Sequence, residues 1–248
     1  MIEVRRLSKP AILVRQAAEW TRELCAERAE YYQAVRDHPV YPPARKSRYA
    51  HQEVRDRLKE MFGNKCAYCE SRVTAVSYQH VEHFRPQSIY PRLVYEWSNL
   101  LLACERCNSG HKRQQFPLMD GIQPEEDRDD PCSRSDHDEP VLIDPCREDP
   151  SSFFSFRDST LVCRSERAER TREICGLDRE DLEEERRMWL TVAVDTAIKA
   201  LQLAAKLGRD SEKEEFRQRL EELLQPSMPY VAMTRARLDA MGIDPGVR

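Results

Sequence analysis

Glycine is scarce in this chain, seven in 248 residues, and none builds a glycine-rich phosphate loop. Nothing therefore points to ATP binding by the chain itself. No internal repeat is present, and no apolar run reads as long enough to cross a membrane. Met1–Pro10 lacks the apolar stretch of a signal peptide, so a soluble cytoplasmic protein without membrane contact is expected. A basic excess is missing too: 40 Lys and Arg face 44 Asp and Glu, for a net charge of -4. Free-standing nucleic-acid binders ordinarily carry the opposite balance, because phosphate contacts supply most non-specific affinity. A nucleic-acid substrate would then need a local basic surface or a partner that supplies binding energy.

Cysteine, by contrast, is plentiful and patterned. Cys66-Ala-Tyr-Cys69 and Cys104-Glu-Arg-Cys107 are two CxxC pairs, each placing two thiolates on one side of a tight knuckle. Together they supply the four soft ligands of a tetrahedral structural Zn2+. The other five (Cys25, Cys132, Cys146, Cys163 and Cys175) are scattered and odd in number, as expected of reduced thiols in the cytosol.

The residues between the knuckles carry the chemistry. Val81-Glu82-His83-Phe84 reads as a short buried strand ended by Pro86, and Asn108 directly follows the last cysteine. Glu82 and the Asn108 amide are hard oxygen donors suited to Mg2+ or Mn2+, and His83 beside them is a natural general base. Such a set suits metal-assisted phosphodiester hydrolysis. Asn99, in the run Trp97-Ser-Asn-Leu-Leu-Leu102, is expected to hydrogen-bond across the loop and fix His83. Taken singly, a Glu-His pair is ordinary polarity and an Asn after Cys a helix cap. Their coincidence inside one zinc-stapled unit favours a site.

These residues resemble an HNH endonuclease of the ββα-metal type. The resemblance implies Glu82 and Asn108 as metal ligands, His83 as general base and Asn99 as the middle Asn. Lys112 matches a basic residue such motifs often carry, expected at the phosphate with Arg85 and Arg113. Many members carry Asp or His where Glu82 stands, so its longer arm must be accommodated. His80 and His111 are candidates for auxiliary or supporting roles, or plain surface histidines. Outside the core, Met1–Pro10, the Tyr49–Phe62 helix leading into Lys65-Cys66-Ala-Tyr-Cys69-Glu70, Pro140-Val-Leu-Ile-Asp144-Pro145, Asp149-Pro150 and Ala168-Glu-Arg-Thr171…Gly176-Leu177 look like the HNH subunits of Septu-type and retron-associated antiphage systems. That similarity implies an ABC-type ATPase partner, which no residue here shows.

The remaining chain reads as scaffold. Helices are expected over Pro10–Asp37, ended by Pro39, Pro42 and Pro43, and over Tyr49–Phe62, stopped by Gly63. Tyr31 and Tyr32 fit core packing better than base stacking. Asp120–Glu139 reads as a mobile acidic linker, with mimicry of nucleic acid as its functional alternative. Val141–Ile143 and Phe153–Val162 read as short strands. Helices follow over Ala168–Ile174, from an Asp178 N-cap with Asp181 to Gly208, over Glu214–Leu224 and over Tyr230–Met241. Their apolar faces read as core, with docking of an ATPase as the alternative. The expected fold is α+β, a zinc-stapled ββα-metal core embedded in a mostly α-helical protein. Its divisions are 1–62 (helical), 63–118 (nuclease core), 119–140 (linker) and 141–248 (strands, then bundle). A local basic surface is expected from Arg45, Lys46, Arg48, Arg72, Arg85, Arg92, Lys112 and Arg113. The expected activity is metal-dependent cleavage of nucleic acid, DNA first and structured RNA second. The alternative is a non-catalytic zinc-stabilised subunit that binds nucleic acid or a partner.

Overall fold

Leu13, Ala17, Leu24, Arg28 and Tyr32 recur at helical spacing and form the buried face of α1, Ala11–Ala34. The computed structural model describes residues 1–34, 44–73, 79–125, 127, 130, 132–134 and 137–244; Pro39, Pro42 and Pro43 lie outside them. A single helical turn, Lys46–Tyr49, precedes α2, Gln52–Phe62. The expected Tyr49–Phe62 helix is therefore interrupted at Ala50 and His51, where the His51 ring accepts from the Glu53 N–H as an N-cap. Val54, Leu58 and Phe62 line one side of α2 and are fully or almost fully buried. Each such side chain contributes about 1.5–3 kcal/mol. Gly63 closes α2 with φ +57°, and a Cβ there would stand 2.8 Å from the Ser227 backbone. Only glycine meets both demands without a shift.

Strand β1, Gln79–His83, pairs antiparallel with β2, Leu100–Cys104, so that His83 lies opposite Leu100 and Gln79 opposite Cys104. Every residue of β2 is buried. Helix α3, Arg106–Lys112, follows directly and is wound as a π-helix. Wider turns of this kind often mark functional sites. The chain start lies across this unit: Val4 N–H donates to Pro145 O, and Arg6 donates to the carbonyls of Trp97, Ser98 and Leu100.

A second hairpin, β3 (Phe154–Arg157) and β4 (Thr160–Cys163), covers the expected Phe153–Val162 stretch, which folds as two strands and a turn. Val141–Ile143 does not form a strand; nearby, Pro140 makes an isolated bridge with Leu118. Helix α4, Glu166–Cys175, is capped by Ser165 and closed by Gly176. The next helix, α5, runs over Glu180–Lys206 with a π-helical stretch at Leu190–Asp195. Asp178 is not its cap, because the N-cap position falls on Arg179 and Asp178 pairs with Arg172 instead. By length and composition α5 is apolar enough to cross a membrane, contrary to the sequence reading. Helix α5 buries Leu190, Val194, Ala197, Ile198 and Ala204 but only 28% of its apolar window, and Met188, Val192 and Leu203 are exposed. It packs along α6, Asp210–Leu223, and α7, Val231–Ala240, is the last helix among the described residues.

Two further expectations change. Cys25 and Cys132 are joined in a disulfide across 107 residues, so they are not free thiols. The acidic segment is also tied down at its described end: Tyr90 and Arg134 both donate to the Asp138 carboxylate, and Arg85 donates to the Asp138 carbonyl.

Candidate active site and cysteine cluster

The two knuckles meet as the spacing requires. The sulfurs of Cys66, Cys69, Cys104 and Cys107 are all buried and lie within 4.8 Å of one another, with Cys69 and Cys104 3.8 Å apart. Sulfurs placed at ~2.3 Å around a tetrahedral zinc stand ~3.8 Å apart, so this cluster can hold a zinc ion. Hydrogen bonds from the Cys104, Cys107 and Cys66 sulfurs hold the Cys69 thiol well below its ordinary range. Arg179 also faces the cluster, with Nη1 3.5 Å from Cys107 Sγ. Burial works against its charge, but the Cys107 and Cys69 sulfurs outweigh that effect and raise its pKa.

A cleft of about 460 Å³ opens beside the cluster, lined in part by Tyr49, His80, Glu82, His83, Glu105 and Asn108. Strand β1 delivers Glu82 and His83, and the first turn of α3 delivers Asn108. The acid, the histidine and the last Asn thus line one cleft. His83 Nε2 lies 3.0 Å from the Val94 carbonyl. A carbonyl can only accept, so Nε2 carries the proton and Nδ1 holds a free lone pair. Burial lowers the His83 pKa to about 4, the Val94 carbonyl opposes this, and the Lys112 ammonium adds to it. The ring is consequently neutral near pH 7 and able to take a proton. Tyr49 packs edge-on against it at 4.8 Å between ring centroids.

Asn99 lies outside the cleft lining and spans the loop between β1 and β2. Its Oδ1 accepts from Arg85 N–H at 2.8 Å, while Nδ2 donates to the carbonyls of Arg85 and Leu93, each at 3.1 Å. The Leu93 contact immediately precedes Val94, the residue that orients His83.

Three expected placements differ. Lys112 is fully buried, with Nζ 2.6 Å from Glu82 Oε1, and is not at the surface. Arg85 is also interior, lying over the rings of Tyr90 and Phe116. His111 packs against Gly176, where an added Cβ would meet its ring. Of the expected basic surface, Arg45 pairs with Glu27 and Arg48 with Glu23. The cations lining the cleft are Lys46, Arg55 and Arg113. Arg55 has no sequence signal beyond its place next to Val54 on α2, and Tyr49 was read only as a helix residue.

With this geometry in view, comparison with known proteins gives the class. The HNH endonuclease profile matches residues 66–114, the stretch holding both knuckles, Glu82, His83, Asn99 and Asn108. The chain carries a nuclease domain of the type that depends on metal and hydrolyses the phosphodiester bonds of nucleic acid. Over 221 residues it is 32% identical to the Septu protein PtuB of Bacillus mycoides strain KBAB4, covering 82% of this chain and 70% of that protein. A Septu protein PtuB of Bacillus thuringiensis is 32% identical over 123 residues, 48% of this chain and 41% of that one. The chain belongs to the PtuB family.

Proposed function

We propose that this protein is the metal-dependent nuclease of a bacterial antiphage system, working in the cytoplasm beside an ABC-type ATPase. The observation that carries the catalytic reading is His83: a buried, neutral imidazole with Nε2 turned to Val94 O, lining one cleft with Glu82 and Asn108. His83 Nδ1 takes a proton from the attacking water. Glu82 and Asn108 would hold a divalent ion, Mg2+ or Mn2+, which would supply positive charge to offset that on the phosphate and the departing 3′ oxygen. Lys46, Arg55 and Arg113 steady the phosphate, in place of the interior Lys112 and Arg85. Asn99 keeps the loop, and through it the His83 ring, in place. The four cysteines hold zinc, which contributes rigidity.

The ATPase partner follows from the family resemblance and agrees with the charge balance. A net charge of -4 and a cleft that mixes three cations with Glu82 and Glu105 favour weak substrate binding by the chain alone. The substrate proposed is DNA, with structured RNA as the second choice. One such site cuts one strand per event, so a double-strand break takes two copies or two visits.

A plasmid-nicking assay tests the reading, comparing wild type with His83→Ala in Mg2+, Mn2+ or EDTA, alone and with the ATPase. Nicking that needs metal and vanishes in the variant, with zinc content and fold unchanged, is expected. Cleavage that survives in His83→Ala would refute the assigned base. The absence of cleavage of DNA and RNA under every condition would favour a non-catalytic partner-binding subunit.

A further inference from the structure

A fully buried ion pair joins the residue expected at the phosphate to the residue expected at the metal. Lys112 ends α3, four residues after Asn108, and its side chain is completely buried. Its Nζ lies 2.6 Å from Glu82 Oε1 and donates to the His83 carbonyl at 3.1 Å. Tyr68 O–H donates to the same Oε1 at 3.4 Å. One ammonium thus grips both members of the acid–His pair and ties β1 to the helix that carries Asn108. Retaining a buried ion pair is a poor route to stability, since an apolar pair of similar volume often does as well. A cation kept at that point calls for another reason.

We propose that Lys112 is a positioning residue that sets how strongly the site binds its divalent ion. Holding Oε1, it leaves the other carboxylate oxygen of Glu82 for the cleft and prevents two-oxygen chelation. Its own charge opposes a second cation on the same carboxylate. The site then binds metal weakly but with the ligand and the base fixed relative to one another. This inference rests on Glu82 and Asn108 being the metal ligands. Without the ammonium, the metal gains a second oxygen and loses a competing charge, so binding tightens. The pair also loses its anchor, so turnover falls.

The test uses full-length, zinc-loaded protein and Mn2+ as probe, with binding followed by electron paramagnetic resonance in the absence of nucleic acid. Lys112→Met and Lys112→Gln are expected to bind Mn2+ at least threefold more tightly than wild type. Lys112→Met should nick plasmid at least tenfold more slowly at saturating Mn2+, with the plasmid KM unchanged. Lys112→Gln, whose amide can still donate to Glu82 and the His83 carbonyl, should retain more of the rate. It also carries the test if the Met variant does not fold. Unchanged or weaker Mn2+ binding in these variants would overturn the inference, as would a raised plasmid KM with unaltered Mn2+ binding. Glu82→Gln separates the two levels. If it binds Mn2+ like wild type, the ligand assignment itself fails. If it loses Mn2+ while the Lys112 variants bind as wild type, only the role of Lys112 fails.

Discussion

Asn99 offers the sharpest stability test, because its three bonds are all to backbone, two of them buried and one part-buried. Asn99 is 4% exposed, and its amide orientation is forced by its partners: one N–H needs an acceptor and two carbonyls need donors. Asn99→Ala removes all three bonds and leaves those backbone groups inside the protein. A stranded buried polar group costs about 1–3 kcal/mol, so the sum is about 4 kcal/mol after partial relaxation. Asn99→Asp keeps the shape and the bond from Arg85 N–H, yet turns a carboxylate oxygen toward the Arg85 and Leu93 carbonyls. Near neutral pH it should cost at least as much as alanine, because a buried charge now meets two acceptors. Urea unfolding of zinc-loaded protein reads the loss as a shift in midpoint at constant slope. The same variants should slow nicking, since Val94 follows the released Leu93 and the His83 ring loses its acceptor. A loss below about 1 kcal/mol in Asn99→Ala would refute the reasoning, since it would mean that this amide does not hold the loop.

The cluster makes a second prediction: Cys107→Ser should lower bound zinc, measured by plasma mass spectrometry, and lower the thermal midpoint, because three thiolates hold the ion less well than four. Zinc retained at wild-type stoichiometry would mean that the four sulfurs do not act together. The third concerns pH. His83 titrates near 6.5 when unfolded and near 4 when folded, so its contribution is complete above about pH 6.5 and is lost as pH falls toward 4, by about 3 kcal/mol at most. Stability curves of wild type and His83→Gln should therefore diverge across that interval and run parallel below it; equal slopes would show that the imidazole is not held neutral.

The site was legible where its chemistry leaves a local signature. CxxC spacing forces two thiolates onto one knuckle, and the first knuckle is tied to β2, which ends at Cys104, by the bond from Ala67 N–H to Leu102 O. The α2 stripe of Val54, Leu58 and Phe62 follows from helical period alone. What could not be read depends on which side of the strand pair a long side chain takes. Lys112 lies 30 residues from Glu82 and 29 from His83, and nothing in the local sequence distinguishes a buried ammonium from an exposed one. The Cys25–Cys132 bond closes 107 residues, so cysteine parity alone could not pair them. Asp178 failed as a cap because Arg172 offers it an ion pair one turn before the helix begins.

The abundance of arginine takes on a structural meaning in this light. The described strands form only two-stranded sheets, so many carbonyls have no ladder to join. Arginine forks meet that need. Arg6 holds Trp97, Ser98 and Leu100; Arg28 holds Gln87 and Ser88; Arg167 holds Val141 and Leu142; Arg186 holds Leu177. A rigid guanidinium can meet several carbonyls at once, which a lysine cannot do in the same geometry. Arg28, Arg85, Arg186 and Lys112 are almost wholly buried, so their charges are unavailable to a phosphate backbone. Glu70, Glu82 and Asp144 are buried as well, so the interior charges largely cancel and the outer surface keeps a net negative charge. Nucleic acid must then be brought to Lys46, Arg55 and Arg113 against that field.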